Sequence, residues 1–196
     1  MEQLVQLRNK IFITALSFSF FGCGHNKMVV PLVFIDANKS SFVTKQGITY
    51  LDEKPFSGWK FALYNTNDTS FIIPYYEGKE NEVSKAWYEN KQLKEERSFE
   101  NGKKIGVHKG WWPDGKQRFE YHFRNDVYEG NVKEWYQSGQ LFKSFNYKNG
   151  QEEGMQIQYF SNGALQFNYE ARDGRNYGLT GVKNCVNVKE SIGVER

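Results

Sequence analysis

Apolar and polar residues alternate along the second half of the chain with a period of two. In LFKSFNY at 141–147, Leu141, Phe145 and Tyr147 share one parity, and the positions between them are more polar. Successive side chains of a β-strand point to opposite faces, so this pattern predicts a strand with one buried and one solvated face. A helix would need a period of about 3.6, which these residues do not show.

The same pattern returns every 24 residues, and four sets of positions keep that spacing. The sets are the glycines Gly106, Gly130, Gly154 and Gly178; the aromatic pairs Trp87-Tyr88, Trp111-Trp112, Trp135-Tyr136 and Tyr159-Phe160; the first turns Asn90-Lys91, Asp114-Gly115, Ser138-Gly139 and Asn162-Gly163; and the second turns Asn101-Gly102, Asn125-Asp126, Asn149-Gly150 and Asp173-Gly174. A degenerate earlier copy fits 58–81. A fixed period of this size indicates a repeat architecture.

Each unit is predicted to hold two strands and two turns. Asn-Gly and Asp-Gly favour type I′ turns, because both central residues need positive φ. The glycine before each first strand has two interpretations: a close approach of the backbone to an aromatic ring of the next unit, or an ordinary turn glycine.

A single hairpin cannot bury its own aromatic rings, since three or more strands are needed for that. Stacked units solve the problem by burying each aromatic row against its neighbour. The sequence therefore predicts an all-β fold: an elongated open antiparallel sheet of stacked 24-residue β-hairpins, with about ten strands.

Two stretches carry a resemblance to a known family. GNVKEWYQSGQLFKSFNYKNGQEEG (130–154) and EVSKAWYENKQLKEERSFENGKKIG (82–106) resemble the bacterial variant of the MORN repeat. The lead-in GITYLDEKPFSG (47–58) resembles the segment before the repeats in the YwqK-type family of toxin–antitoxin antitoxins. The resemblance covers roughly 47–182 and implies a non-catalytic binding or scaffolding module. It does not identify the partner, because repeat scaffolds host many binding roles. Asn90-Lys91, Asn125-Asp126 and Ala171 depart from the family pattern.

The first residues differ from the rest of the chain. Arg8 and Lys10 precede the uncharged stretch IFITALSFSFFG (11–22), which has the length of a signal-peptide core. The stretch ends at Cys23 and resembles a bacterial lipobox, with Phe20 where that motif usually has Leu. A buried helix with an ordinary cysteine is the alternative, but nothing else in the chain indicates a helix. We expect a lipoprotein signal peptide at 1–22, lipidation of Cys23, and a membrane-anchored bacterial lipoprotein that faces the periplasm.

The signal peptide and the repeats together set the boundaries of the other segments of the chain. Residues 23–57 are predicted to form an anchor, a linker and a capping strand, with a strand in 28–37 and a loop at 38–47, because an open sheet edge needs cover. The repeats fill 58–182, and 183–196 form a last strand and tail. Cys185 is then the one leftover cysteine, which we expect to be a small buried residue rather than a redox or metal group.

Composition and motifs narrow the chemistry. The net charge of +3 comes from 26 basic and 23 acidic residues, which gives no electrostatic footprint for nucleic acid. No phosphate-binding loop, H-E-x-x-H or C-x-x-C motif occurs, so we expect no cofactor, no metal and no catalysis. A site that uses His108 and His122 across one hairpin is conceivable, but two separate surface histidines fit better, because a metal needs more ligands.

Two rows of residues are candidate binding surfaces. Lys85, Lys109 and Lys133 occupy one column and would lie about 10 Å apart. The stripe could contact anionic lipid headgroups or an acidic partner. The alternative is a solvated row of charge, which is favoured because acidic neighbours dilute the stripe.

The second row is the outer member of each aromatic pair: Tyr88, Trp112, Tyr136 and Phe160. Exposed, it would be a protein-binding surface; alternatively, strand curl buries both aromatic rows in a groove. Our preferred hypothesis is a protein partner bound along the sheet, in an antitoxin-like or immunity-like role. The alternative is an envelope-structural or anionic-lipid-binding protein.

Overall fold

The computed structural model describes residues 28–180, where all the regular structure is β-strand. The strands are β1 (Phe34–Asp36), β2 (Phe42–Lys45), β3 (Ile48–Leu51), β4 (Lys54–Pro55), β5 (Gly58–Leu63), β6 (Thr69–Tyr76), β7 (Lys79–Glu80), β8 (Glu82–Trp87), β9 (Leu93–Glu100), β10 (Lys103–Trp111), β11 (Gln117–Arg124), β12 (Val127–Tyr128), β13 (Gly130–Trp135), β14 (Leu141–Lys148), β15 (Gln151–Tyr159), β16 (Leu165–Arg172) and β17 (Arg175–Leu179). Across this part of the chain, no helix is long and apolar enough to cross a membrane.

Fourteen strands form one open sheet, which confirms the predicted fold class. The order along the sheet is β1-β5-β6-β8-β9-β10-β11-β13-β14-β15-β16-β17, with β12 beside β11 and β7 beside β6. The pairing is antiparallel except between β1 and β5, where Phe34 lies opposite Trp59 in a parallel ladder. The sheet is therefore mixed at one edge rather than wholly antiparallel.

The 24-residue units are hairpins that share one turn geometry. In the third unit, the Trp112 amide donates to the Lys116 carbonyl at 2.8 Å, and the Gly115 amide donates to the Trp112 carbonyl at 2.9 Å. The same two bonds recur at the turns that begin with Tyr64, Tyr88, Tyr136 and Phe160. Because the turn at Tyr64 is identical, 58–81 is a true copy of the repeat.

The type I′ prediction is right for the second turn of each unit and wrong for the first. At the second turn both central residues have positive φ, as with Asn149 at 52° and Gly150 at 79°. At the first turn only the second residue does, as with Gly115 at 85°. The reason is a longer loop: the Asp114 carboxylate accepts the Lys116 amide at 3.2 Å, and the ladder shifts register beside Trp111.

The repeated glycine sits in a bulge at the junction between units at Gly106 and Gly154, whereas Gly178 pairs with Tyr169 in a regular ladder. Between β9 and β10 the register runs from Ile105 opposite Ser98 to Lys109 opposite Glu96, so three residues face one. Gly106 in this bulge has a φ of 63°, which favours glycine. Apart from its chain neighbours, the nearest atom to a Cβ there would be Ser98 Cβ at 3.9 Å, so of the two interpretations the close approach to a ring is wrong at this position.

That close approach occurs instead at Gly110. A Cβ on Gly110 would overlap the ring of Phe119, which lies directly opposite on β11. The absence of a side chain at Gly110 therefore makes room for a buried aromatic ring.

A three-stranded sheet of β2, β3 and β4 precedes the repeats. The predicted loop at 38–47 is thus wrong in its second half, where β2 pairs Thr44 with Thr49 of β3. Phe56 joins this sheet to the repeats, since its ring centroid lies 5.1 Å from that of Phe42 and 6.0 Å from that of Tyr75. β1 lies at the sheet edge, within the range where a capping strand was expected.

The core follows the predicted alternation. The parity that was predicted to face inward contains the buried residues Phe119, Tyr169 and Ala171. One further buried column has the 24-residue spacing and consists of Ser84, His108, Val132 and Gln156. Each of these residues lies two positions after the residue of positive φ that begins its unit. The bend at that residue directs their side chains to the inner face of the sheet. The residues of positive φ are Glu82, Gly106, Gly130 and Gly154.

Candidate functional site

A cleft of about 480 Å³ opens on the inner face of the second, third and fourth units. We call it the aromatic cleft. Its aromatic lining is Trp112, Phe119, Tyr121, Trp135, Tyr136 and Phe142, and its charged lining is Arg97, Arg118 and Glu134. Other clefts on this part of the chain have similar volumes of about 440–460 Å³, so its lining rather than its size distinguishes the aromatic cleft.

Both aromatic rows reach this cleft. Trp135 and its neighbour Tyr136 would point to opposite faces in a regular strand. The ladder shifts register between Glu134 and Trp135, which breaks the alternation, and both rings line the cleft. Of the two alternatives for the second row, the geometry agrees with the groove.

Members of the second row also join successive units. Tyr88, Trp112 and Tyr136 of this row, and Tyr64 at the equivalent position of the first unit, each donate a side-chain hydrogen bond to the backbone carbonyl of the first aromatic residue in the next unit. The bonds are Tyr64 Oη to Trp87 O at 2.8 Å, Tyr88 Oη to Trp111 O at 3.0 Å, Trp112 Nε1 to Trp135 O at 3.3 Å and Tyr136 Oη to Tyr159 O at 3.0 Å. Phe160 has no donor at this position, is 48% exposed and lies outside the cleft.

Two arginines share one carboxylate at the cleft. Glu95 Oε2 lies 2.8 Å from Arg97 Nη2 and 3.8 Å from Arg118 Nη2. The Phe119 ring lies beneath both guanidiniums, with centroid distances of 5.8 and 5.1 Å, and Arg118 is also 5.6 Å from the Trp112 ring. Within residues 28–180, Arg97 Nε is buried without a hydrogen-bond partner, a cost that stable cores usually avoid.

The other wall carries a negative charge that is already compensated. Glu134 Oε1 accepts a hydrogen bond from Tyr121 Oη at 2.6 Å and lies 2.8 Å from Lys143 Nζ. Burial and the adjacent Glu134 carboxylate raise the pKa of Tyr121 far above that of a free phenol. Tyr121 is therefore a permanent hydrogen-bond donor that holds the carboxylate in place.

His108 is not the surface histidine that was expected, because it is only 1% exposed. Its ring lies between Phe99 and Phe123, with centroid distances of 5.4 and 4.7 Å, and Nε2 is 2.9 Å from the Ser98 carbonyl. Burial lowers the pKa of His108.

His108 and His122 do not form a joint site. His122 lies opposite Val107, the neighbour of His108, so the two rings occupy opposite faces of the sheet. His122 Nε2 is instead 3.2 Å from Glu120 Oε1. Among residues 28–180, no group of three or more histidine, cysteine, aspartate or glutamate side chains is arranged to hold a metal ion.

Gln156 occupies the equivalent of His108 two units along the chain and is completely buried. The side-chain oxygen of Gln156 accepts a hydrogen bond from the backbone amide of Asn146 at 3.0 Å. Its side-chain nitrogen donates a hydrogen bond to the backbone carbonyl of Asn146 at 2.9 Å. Because of the bulge at Gly154, no residue of β15 pairs with Asn146. The side-chain amide of Gln156 thus serves as a substitute peptide group: it makes the two hydrogen bonds with Asn146 that a backbone peptide group of β15 would otherwise make.

The lysine stripe lies on the opposite, outer face. Across the strands it alternates with acidic residues in the order Lys85, Glu96, Lys109, Glu120, Lys133. Lys85 Nζ is 2.9 Å from Glu96 and Lys109 Nζ is 3.6 Å from Glu120. The stripe is therefore a ladder of mixed charge, and its binding role stays a prediction.

Sequence reasoning did not identify the charged part of the cleft. Arg97 occupies a column that holds Tyr121, Phe145 and Tyr169 in later units, and Phe142 occupies a column that is otherwise polar. Arg97 places a charge in the column predicted to face inward, and Phe142 places an aromatic ring in a column predicted to be polar. Those two exceptions were the signal available in the sequence.

Several predictions fall outside the described residues. They are the signal peptide at 1–22, lipidation at Cys23, the role of Cys185 and the last strand and tail at 183–196.

Comparison with known families agrees with the geometry. Residues 83–101 and 128–149 match the profile of the MORN repeat variant. Two stretches of the repeat array are therefore similar to the MORN repeat variant. The matched stretches cover most of β8 and all of β9, β13 and β14, and the cleft residues that they supply are Arg97, Glu134, Trp135, Tyr136, Gln137 and Phe142. MORN repeats are generally associated with binding and scaffold roles. A search of curated proteins finds no match to the chain.

Proposed function

We propose that the chain is a non-catalytic binding module that holds a protein partner in the aromatic cleft. The observation that carries this proposal is the convergence of six aromatic side chains and two arginines on one cleft. Aromatic residues and arginine dominate the energetics of protein interfaces. The similarity of two stretches to the MORN repeat variant supports a binding role of this general kind.

The lysine stripe is a weaker candidate for the binding surface. Two of its three lysines lie within 4 Å of glutamates, which compensates the charge that an anionic lipid would need. We therefore favour the protein partner over the lipid surface as the ligand.

We also propose that the chain is exported and anchored through a lipid on Cys23, where it could act as an antitoxin-like or immunity-like protein. The support is the sequence of residues 1–27, with its basic start, apolar core and cysteine. Metabolic labelling with a palmitate analogue tests the anchor: label should appear in the wild-type chain and not in Cys23→Ala. Label that persists in Cys23→Ala contradicts it.

A quantitative capture experiment tests the binding role. The full chain and its Phe142→Ser variant are used to isolate partners from envelope extracts, with Leu179→Ser as the matched control. Leu179 is 53% exposed and lies outside the cleft. Specific protein captured by the wild type and by Leu179→Ser, but reduced about tenfold with Phe142→Ser, supports the cleft. Equal capture by all three chains contradicts it.

A further inference from the structure

The charges in the aromatic cleft are unequally paired. Arg97 and Arg118 both approach Glu95 Oε2, so two positive groups share one carboxylate. An arginine presents five N–H donors. Within the described part of the chain, the one hydrogen bond from the Arg97 guanidinium goes to Glu95, and Arg118 makes none. The two side chains thus keep donors for a ligand, and together with Glu95 they carry one net positive charge.

These guanidiniums are accessible and held in place. The Arg97 and Arg118 side chains are 38% and 29% exposed. The Phe119 ring beneath them limits their movement and removes water from one side. A guanidinium in this setting is suited to bind a carboxylate through its planar array of donors.

The opposite wall requires a different kind of group. The rings of Tyr136 and Phe142 lie 5.0 Å apart and present mainly carbon to the cleft. Glu134 on this wall is already paired with Tyr121 and Lys143, so it requires no cationic ligand. An apolar side chain is the natural complement here.

We propose that the aromatic cleft binds an extended acidic peptide segment of a protein partner. One carboxylate of the segment contacts Arg97 and Arg118, and an apolar side chain two residues away packs against Tyr136 and Phe142. Side chains two residues apart in an extended peptide share a face and lie roughly 7 Å apart, which suits one cleft. The inference rests on the proposed function, which it narrows to a class of partner.

The binding of two short peptides to the full chain tests this inference. They are acetyl-Gly-Glu-Ser-Phe-Gly-amide and the same peptide with Gln in place of Glu. Binding is followed by NMR, through the Nε–H signals of Arg97 and Arg118. We expect the Glu peptide to shift both signals and to bind about tenfold more tightly than the Gln peptide, since the contact is charge-assisted.

Matched variants separate this contact from general charge effects. Arg118→Gln should weaken the Glu peptide about tenfold and leave the Gln peptide unchanged. Arg175→Gln, which removes the same charge from the exposed strand β17, should change neither.

Three results would overturn the inference: equal affinity for both peptides, no shift with either peptide, or shifts produced by phosphatidylglycerol vesicles and not by the Glu peptide. If the peptides fail while partner capture still depends on Phe142, the acidic class is wrong and the proposed binding role stands. If capture also fails, both are wrong.

Discussion

The phenolic hydroxyl of Tyr136 donates a hydrogen bond to the backbone carbonyl of Tyr159, 3.0 Å away and one repeat further along the chain. Equivalent bonds from Tyr64, Tyr88 and Trp112 make this a ladder of side-chain bonds across the stack. Two of these four residues, Trp112 and Tyr136, also line the aromatic cleft. Stability of the repeat array and shape of the binding surface therefore depend on the same residues.

Removal of the Tyr136 hydroxyl should weaken the stack. Tyr136→Phe keeps the ring and loses the bond to Tyr159, so the free energy of unfolding should fall by about 1 kcal/mol. Urea denaturation measures this. Tyr159→Phe is the matched control, because the Tyr159 hydroxyl makes no side-chain bond within residues 28–180. Equal losses in the two variants would show that the ladder contributes nothing specific.

His108 should make stability depend on pH. Its pKa is lowered in the folded chain from the ordinary value of 6.5, so the unfolded state binds the proton more tightly. The free energy of unfolding should therefore be highest above pH 6.5 and fall as the pH drops below it, by at most about 1.4 kcal/mol per pH unit.

Urea denaturation at pH 7.5 and 5.5 checks the His108 prediction. His108→Gln should remove most of the difference between the two pH values, whereas His122→Gln, on the outer face, should keep it. A wild-type chain that gains stability at the lower pH would show that His108 is not the group responsible.

Replacement of the buried amide of Gln156 should be costly. In Gln156→Met the amide and carbonyl of Asn146 lose their partners, and the free energy of unfolding should fall by about 2–4 kcal/mol. Gln151→Met, at an exposed position of the same strand β15, should change it by less than about 0.5 kcal/mol. If thermal or urea unfolding finds similar values for both, the substitute peptide group is unimportant.

Replacement of Gly154 or Gly110 by alanine should lower the free energy of unfolding, for a different reason at each position. Gly154→Ala should cost about 1–2 kcal/mol, because its φ is 84° although space is free. Gly110→Ala should cost more, because the new methyl overlaps the Phe119 ring. In double-mutant cycles, Phe119→Leu should reduce the free-energy cost of Gly110→Ala and leave the cost of Gly154→Ala unchanged. Equal coupling of Phe119 to both glycines would contradict this explanation.

The sequence predicts the regular parts of this fold because strand alternation and a fixed period are local properties. The β14 pattern and the 24-residue spacing are enough for the stacked hairpins. Prediction fails where the period is interrupted. Three residues face Arg97 in one bulge, and the register shifts beside Trp111. Parity counts therefore cannot show that Trp112, Arg118 and Phe142 meet, since the shifts depend on pairing between strands.

The binding role of the aromatic cleft is tested most directly by photo-crosslinking in the cells that produce the chain. A photoreactive residue at Gln137, an exposed position of the cleft lining, is compared with one at Gln151, which lies outside the cleft. We predict a specific crosslinked protein from position 137 that disappears in the Phe142→Ser background, and none from position 151. Crosslinks to the same protein from position 151 alone, or from 137 regardless of Phe142, would contradict the proposed binding site.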